Sequence, residues 1–250
     1  MEDLILETRG LTKDFRGFSA VQGVDLKIRR GTIHALIGPN GAGKTTVFNL
    51  LTKFLEPSAG YILYNGRDIT RERPADIARL GIVRSFQISA VFPHLSVLDN
   101  VRVALQRPLG NSFHFWRSQR VLDRLNGEAE RLLDAVGLSG FVHAMAVELP
   151  YGRKRALEIA TTLALDPEML LLDEPMSGLG QEDIGRIAAL IRQVAANRTV
   201  LMVEHNLSVV ADLSQTITVL TSGRILAEGD YDTVSRNPEV VEAYMGTGHA

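Results

Sequence analysis

The sequence predicts an α/β fold: an α/β core with an antiparallel β subdomain and an inserted α-helical subdomain. Three observations favour this architecture. A glycine-rich loop at residues 38–46 lies between an apolar run typical of a buried strand and an amphipathic helical pattern. From about residue 97 to residue 165 the pattern is mostly helical and poor in strand signals. Two apolar strands are then predicted at residues 169–173 and 199–204.

The first part of the chain predicts the antiparallel β subdomain. Residues 4–7 and 24–28 have strand patterns, and a turn-rich stretch at residues 14–17 lies between them. Asn65 and Gly66 stand between two short runs with apolar residues, which is typical of a hairpin with a two-residue turn. We therefore expect these segments to form an antiparallel sheet beside the core.

The remaining elements complete one predicted domain of residues 1–250. They are a short helix at 74–80, a helix near 182–196, strands at 216–220 and 224–227 that turn at Ser222 and Gly223, and a helical end from residue 231 that Pro238 interrupts. The expected parts are the core with its antiparallel β subdomain at 1–87 and 166–230, the helical subdomain at about 88–165, and a C-terminal helical tail at about 231–250.

Composition limits the classes of function. The chain has 250 residues, a net charge of -2 and a hydrophobic fraction of 45%. It lacks the basic excess that is typical of nucleic-acid-binding proteins, so we expect no nucleic-acid partner. It contains no cysteine, which excludes disulfides and thiolate metal sites. No apolar run approaches the length of a membrane span, and the acidic start lacks a signal-peptide pattern, so any membrane role is expected to be peripheral.

The glycine-rich loop fits the phosphate-loop pattern of Gly, four residues, Gly-Lys and then Ser or Thr. Its glycines let backbone N–H groups surround a phosphate, and the following helix adds positive partial charge. Lys44 is predicted to reach the outer phosphates, and the Thr45 hydroxyl to ligate Mg²⁺. The fold is therefore expected to be that of a P-loop NTPase, and the residues predicted to bind the phosphates of its nucleotide are Gly38, Pro39, Asn40, Gly41, Ala42, Gly43, Lys44, Thr45 and Thr46.

Two carboxylates end the first of the apolar strands. The carboxyl ends of parallel strands lie at the same edge of the sheet as the phosphate loop, so Asp173 and Glu174 are expected there. We expect Asp173 to hold Mg²⁺, directly or through water, and Glu174 to orient and deprotonate an attacking water. A solvated acidic turn is the structural alternative, but two carboxylates beside a phosphate site favour hydrolysis over nucleotide storage.

Two further polar residues are candidates for the same edge. His205 follows the second apolar strand, which predicts contact with a terminal phosphate. Gln87, at the end of the run 84–87, is also a candidate to reach the site. A structural histidine and a polar residue that simply ends a strand are the alternatives.

These motifs, in this order, resemble the nucleotide-binding subunits of ATP-binding cassette (ABC) transporters over nearly the whole chain. Asp173 and Glu174 match the magnesium-site aspartate and the catalytic glutamate of that family, and His205 matches its switch histidine. Gln87 occupies the place of the Q-loop glutamine. The resemblance implies that Gln87 contacts the metal and that Gln87 and His205 sense the terminal phosphate.

Two more positions are assigned by the same resemblance. Phe15 is similar in position to the aromatic residue that stacks on adenine, with Phe18 as a nearby rival. The segment that stands where the family signature stands contains Pro150, Tyr151, Gly152 and Arg153. The resemblance implies that this signature covers the ATP of a partner subunit.

The closer resemblance is to the ATPase subunits of branched-chain amino acid importers. It is carried by residues 81–87, the pair Tyr151-Gly152, residues 157–160 and the tail 237–244. Residues 106–127 resemble an insert of that branch, which mixes Phe113, Phe115 and Trp116 with Arg107, Arg117 and Arg120. A contact with a partner or a lipid headgroup and an ordinary solvated helix are both open interpretations of the insert.

The resemblance also implies a mechanism and partners. Two subunits, identical or related, form a head-to-tail dimer with ATP and Mg²⁺ at the interface. Glu174 acts as base, while Lys44 and the metal stabilise phosphoryl charge. ATP closes the dimer, hydrolysis reopens it, and integral membrane permease subunits receive the motion. A periplasmic or extracellular solute-binding protein completes the complex, which places this chain peripherally on the cytoplasmic face of the inner membrane.

The chain departs from the family pattern at three places. Pro150 stands where the signature has a serine whose hydroxyl contacts phosphate, and Arg153 stands where it has glutamine. Gly180 occupies a position where many relatives carry aspartate. Proline is favoured in the first turn of a helix and restricts the preceding Leu149 to an extended shape, so Pro150 is expected to sharpen the start of the signature helix.

Three other functions remain as alternatives. Related importers handle urea or amides, and an exporter ATPase has the same motifs. A non-transport ABC ATPase that acts on DNA or ribosomes is the third alternative. Such proteins usually fuse two cassettes or insert a long coiled coil, whereas this chain has one cassette and no long heptad run.

Overall fold

The computed structural model describes residues 3–85, 91–107 and 123–245. Contacts divide the chain into two compact units. The first unit contains residues 1–84, 168–176 and 191–250, and the second contains residues 85–167 and 177–190.

The elements follow the predicted order. The strands are β1 (Leu4–Phe15), β2 (Phe18–Val24), β3 (Lys27–Arg29), β4 (Ile33–Ile37), β5 (Ala59–Tyr64), β6 (Arg67–Asp68), β7 (Ile82–Ser85), β8 (Met169–Asp173), β9 (Thr199–Val203), β10 (Thr216–Thr221) and β11 (Arg224–Gly229). The helices are α1 (Lys44–Leu51), α2 (Pro74–Arg79), α3 (Val97–Gln106), α4 (Asn126–Ala135), α5 (Tyr151–Leu163), α6 (Gln181–Ala195), α7 (Leu207–Leu213), α8 (Tyr231–Ser235) and α9 (Pro238–Met245). Short 3-10 turns lie at Ser139–Phe141 and Ala146–Glu148.

The first sheet is antiparallel and has the order β2-β1-β5-β6, with β3 also paired to β1. The predicted hairpin around Asn65 and Gly66 is confirmed as the β5–β6 turn. Strand β1 is much longer than the expected strand at residues 4–7. The register of β1 shifts between Leu11 and Lys13, and this irregularity breaks the alternating pattern from which a strand is recognised.

The second sheet has the order β11-β10-β4-β9-β8-β7 and a parallel centre. Strands β4, β8 and β9 are buried at every position, which explains their continuous apolar sequences. Helix α1 buries Val47, Phe48, Leu50 and Leu51, and each such side chain contributes about 1.5–3 kcal/mol relative to exposure. Because β4, β8 and β9 run in the same direction, the residues that follow them lie at one edge of the sheet.

The second unit is helical, as the sequence predicts. Helix α3 contacts α4 and α5, and α4 contacts α5. The Ser96 hydroxyl accepts the backbone N–H of Asp99 at 3.0 Å and so caps α3. Residues 177–190, which include the start of α6, group with these helices.

Candidate functional site

The glycine-rich loop connects β4 to α1 and is held by backbone contacts. The Gly223 N–H donates to Ala42 O at 3.0 Å, and the Ala42 N–H donates to Pro39 O at 3.2 Å. Gly43 has a φ of 103°, and a Cβ built on it would lie 2.6 Å from Ala20 O. A side chain at this position is therefore excluded by backbone strain and by collision. No side chain caps α1 at Gly43, so the first turn of this helix presents uncapped N–H groups beside the loop.

Lys44 is the first residue of α1, and its ammonium group folds back over the loop. Nζ donates to Gly38 O at 2.6 Å and to Pro39 O at 3.0 Å. Burial lowers the pKa of Lys44, while the nearby carboxylates of Glu174 and Asp173 oppose that shift. The ammonium group of Lys44 and the carboxylates of Asp173 and Glu174 therefore lie close enough to interact electrostatically, as the sequence predicts.

Asp173 ends β8 and is 3% exposed. Its Oδ2 atom accepts a hydrogen bond from Nη2 of Arg84 in an ion pair that is almost fully buried. Arg84 also donates from Nη1 to Asn49 Oδ1 at 2.6 Å. The carboxylate that the sequence assigns to a metal thus has a cationic partner within the protein.

Glu174 follows Asp173 at the end of the same strand and is half-buried. Its φ is 47°, in the left-handed region that non-glycine residues rarely adopt. The Glu174 N–H donates to Val203 O at 2.9 Å, which ties this residue to the end of β9. The backbone therefore turns sharply at the predicted base.

His205 follows β9 and is exposed, and a buried carboxylate fixes its backbone. Glu204 is fully buried, and its Oε2 atom accepts the N–H groups of His205 at 3.0 Å and Asn206 at 3.3 Å. Its other oxygen, Oε1, accepts the Met176 N–H at 2.8 Å. Glu204 thus links the turn that carries His205 to the loop that follows Glu174.

The segment that stands in the place of the signature begins α5 in the second unit. Leu149 is extended, with φ −67° and ψ 138°, as the following proline predicts. Pro150 is the N-cap residue, and its carbonyl accepts the N–H groups of Arg153 and Lys154, both at 3.0 Å. Pro150 therefore starts a regular helix despite having no side-chain cap to offer.

Gly152 packs against a carboxylate of its own unit. A Cβ built at this position would lie 2.6 Å from Oδ1 of Asp183, in the first turn of α6. The ring of Tyr151, which is 52% exposed, lies beside Gly178. The Arg153 guanidinium lies 3.9 Å from the centroid of the Phe141 ring, a cation–π contact. The charge of Arg153 is therefore engaged inside the second unit.

The two aromatic candidates for an adenine contact both lie at the β1–β2 hairpin. Phe15 and Phe18 are paired across its end, with exposures of 44% and 63%. Lys13 Nζ lies 5.5 Å from the centroid of the Phe15 ring. The choice between the two rings stays open.

Gln87 and residues 108–122 of the predicted insert lie outside the described residues.

The C-terminal tail also reaches the loop. Tyr244 of α9 interacts with the backbone of Gly38, and burial raises the pKa of its phenol to about 12. A cavity of about 280 Å³ lies beside this contact and includes Ile37, Tyr231 and Val240 in its lining. The tail is therefore part of the surroundings of the glycine-rich loop.

Arg84 and Glu204 complete the site but were not among the residues predicted from the sequence. Both form ion pairs or hydrogen bonds with residues distant in the chain, Arg84 across 89 positions and Glu204 across 28. A charged residue at the end of an otherwise apolar strand was the available signal.

Among the described residues, no helix is both long enough and apolar enough to cross a bilayer. Within the same residues, no cluster of three or more His, Cys, Asp and Glu side chains is arranged to hold a metal ion.

Comparison with known proteins identifies the family. A profile described as "ABC transporter" matches residues 21–177, and one described as "Branched-chain amino acid ATP-binding cassette transporter" matches residues 224–250. The chain is 39% identical to the high-affinity branched-chain amino acid transport ATP-binding protein BraF of Pseudomonas aeruginosa, over 97% of this chain and 98% of BraF. It is 37% identical to LivG of Escherichia coli, which carries the same description, over 98% and 99% of the two chains.

The fold agrees with this relationship. The structure superposes with a TM-score of 0.85 on the ADP conformation of an ATP-binding cassette of an ABC transporter, at 31% identity, over 98% of this chain and 99% of that one. The mixed sheets and the order of the elements are thus explained by common descent. The chain belongs to the ABC transporter family and is an ATP-binding, ATP-hydrolysing cassette of that family.

Proposed function

We propose that this cassette is the ATP-hydrolysing subunit of an importer for branched-chain amino acids. The observation that carries the proposal is the similarity to BraF and LivG along nearly the whole chain, including the C-terminal residues 224–250. The cassette itself is not expected to touch the solute, because its site is built for a nucleotide.

The edge of the second sheet that carries the glycine-rich loop performs the chemistry in this proposal. Uncapped N–H groups of α1 and the residues 38–46 bind the phosphates of ATP, and Lys44 moves from the loop carbonyls to the outer phosphates. Glu174 accepts a proton from the attacking water. His205, with its backbone fixed by Glu204, and Gln87 contact the terminal phosphate, and Phe15 stacks on adenine.

The donor set fits a magnesium ion that is bound together with the nucleotide. Mg²⁺ prefers hard oxygen ligands and commonly combines one or two protein groups with substrate phosphates. The Thr45 hydroxyl is exposed at the start of α1, and the Asp173 carboxylate lies close enough to Lys44 to affect its pKa. We assign Thr45, Asp173 and Gln87 to the metal, which would neutralise developing phosphoryl charge.

A partner subunit supplies the other half of each site in this proposal. The start of α5, at Pro150, Tyr151, Gly152 and Arg153, would face the ATP of a second, identical or related cassette. Helix N-termini favour anions, and α5 has no side-chain cap at its start. Shared sites make hydrolysis depend on dimer formation, and ATP-driven closure then moves membrane permease subunits. The cassette is thereby held at the cytoplasmic face of the membrane, and a solute-binding protein joins the complex from the other side.

Reconstitution tests the proposal. The cassette is co-expressed with branched-chain amino acid permease subunits of the same organism, and ATP hydrolysis is measured in vesicles with their solute-binding protein. We expect the permeases to co-purify and hydrolysis to increase when leucine, isoleucine or valine is bound. Stimulation by urea or an amide instead would identify the alternative importer class, and a cassette that co-purifies with no permease would contradict the transport function.

A second measurement tests the shared site separately. Hydrolysis per subunit of the isolated cassette should rise with protein concentration, because only dimers have complete sites. A specific activity that does not change while sedimentation shows monomers would contradict the dimer.

A further inference from the structure

Arg84 is a charged residue with no role in the mechanism above. It lies on β7, and its side chain is 9% exposed. The guanidinium is fixed on three sides: Nη2 donates to Asp173, Nη1 donates to Asn49 Oδ1 at 2.6 Å, and Cζ lies 5.6 Å from the centroid of the Phe48 ring. Phe48 is itself fully buried on α1. Such fixation is typical of a charge with a defined task rather than of a solvated arginine.

The partner of Arg84 is the carboxylate that the proposed function assigns to magnesium. Asp173 is 3% exposed, so its negative charge would be costly without a partner. Lys44 also interacts electrostatically with Asp173, but its Nζ is held by Gly38 O and Pro39 O. Arg84 is therefore the cation that compensates Asp173 directly.

We infer that Arg84 is a positioning residue that takes the place of the metal at Asp173 while no nucleotide is bound. Its bond to Oδ2 holds the carboxylate in place, and its charge repels a free divalent cation. A metal that arrives with ATP brings the phosphates as additional ligands and so overcomes this repulsion. The arrangement restricts metal binding to the nucleotide-bound state. The inference rests on the magnesium site of the proposed function.

Thermal unfolding of the nucleotide-free protein, with and without about 10 mM MgCl₂, tests this role. In Arg84→Met the charge is lost while a linear side chain remains against Phe48. Its Tm without magnesium should fall by roughly 6–15 °C because a buried ion pair is broken. Magnesium should then raise its Tm by about 3 °C, as expected for a site of about millimolar affinity. The parent protein should change by less than about 1 °C.

Four variants separate this role from a purely structural one. Arg84→Gln loses the charge but keeps an amide donor, so it replaces Arg84→Met in the experiment if that variant does not fold. Its Tm should respond to magnesium in the same way. Arg84→Lys restores the charge and should remove the response. Adding Asp173→Asn to Arg84→Met should also remove it. Arg79→Met, at an exposed arginine of α2 that pairs with Asp76, should behave as the parent.

The outcomes are decisive in both directions. Met and Gln variants that are less stable but respond to magnesium no more than the parent would overturn the inference. A parent protein that hydrolyses ATP equally well in EDTA would overturn the magnesium assignment and with it the inference. Magnesium-dependent hydrolysis by the parent, together with unresponsive variants, would overturn only the role of Arg84.

Discussion

The two helix starts that the proposed mechanism uses are built in opposite ways. Helix α1 begins beside a cation, because the Lys44 ammonium group donates hydrogen bonds to two loop carbonyls. Helix α5 begins against an anion of its own unit, because Asp183 packs on Gly152. Neither start has a side-chain cap. The start of α1 therefore has positive charge beside it, which favours a phosphate. The start of α5 already has the Asp183 carboxylate beside it, where the helix dipole favours negative charge.

With the proposed mechanism, this difference predicts that nucleotide binding and turnover can be changed separately. The α1 region contains a cation, a loop and two strand-end carboxylates, and these groups all belong to the first unit. The α5 region contributes only a helix start and would act on the nucleotide of another subunit. Changes near α1 are therefore expected to affect affinity or chemistry in a single chain. Changes near α5 are expected to affect turnover alone.

The largest expected effect is that of Glu174→Gln, which tests the predicted base in the α1 region. An amide cannot accept the proton of the attacking water, so turnover should fall at least ~100-fold. ATP should still bind and should favour a closed dimer. Steady-state ATPase assays and sedimentation with ATP check both parts, and near-normal turnover would remove Glu174 from the role of base.

Gly152→Asp tests the α5 side. A side chain at this position collides with Asp183 and adds a second negative charge where a partner's phosphate would lie. Turnover should fall roughly 100-fold while ATP binding at the phosphate loop of the same chain stays within a few-fold. Paired ATPase and nucleotide-titration measurements are needed. An active variant would show that this helix does not cover a partner's ATP.

Lys44→Ala removes the cation of the α1 side. A charge-assisted hydrogen bond to phosphate contributes about 1.5–3 kcal/mol, so ATP affinity should fall roughly 10- to 100-fold, and turnover should fall with it. The measurement is a nucleotide titration beside the ATPase assay. Parent-like affinity and activity would mean that the loop does not bind the phosphates through Lys44.

The smallest expected effect is that of Pro150→Ser. The proline carbonyl, not its side chain, accepts the first hydrogen bonds of α5. Serine restores a hydroxyl and a capping group and loses only rigidity, so turnover should stay within about a few-fold of the parent. A loss as large as that of Gly152→Asp would show that the ring of Pro150 itself is required.

Sequence patterns predicted the α1 side well because its determinants are local. A buried strand, a glycine-rich loop and a helix follow one another directly between residues 33 and 51, and parallel strand ends share an edge by geometry. The predicted neighbours Lys44, Asp173 and Glu174 therefore do lie together. Their roles in binding and hydrolysis stay predictions.

The partners of these residues could not be predicted, because they come from distant parts of the chain. Arg84 meets Asp173 across 89 residues, and Asp183 reaches Gly152 from another helix. Arg153 belongs to the segment that stands in the place of the signature, and its guanidinium lies over the ring of Phe141. Strand and helix periodicity indicates which face of an element is buried, but it does not indicate which charged side chains pair in the folded chain.

Glu174 has a left-handed backbone conformation that lowers folding stability, and turnover is predicted to depend on the same residue. A non-glycine residue with a φ of 47° costs about 1–2 kcal/mol. Glycine would adopt this conformation without strain, although it would gain freedom in the unfolded chain. A cassette with glycine at position 174 would therefore fold at least as well as the parent and hydrolyse almost nothing. Selection for stability alone would favour the loss of this carboxylate, so the proposed role of Glu174 as the base predicts that the residue is retained despite its cost.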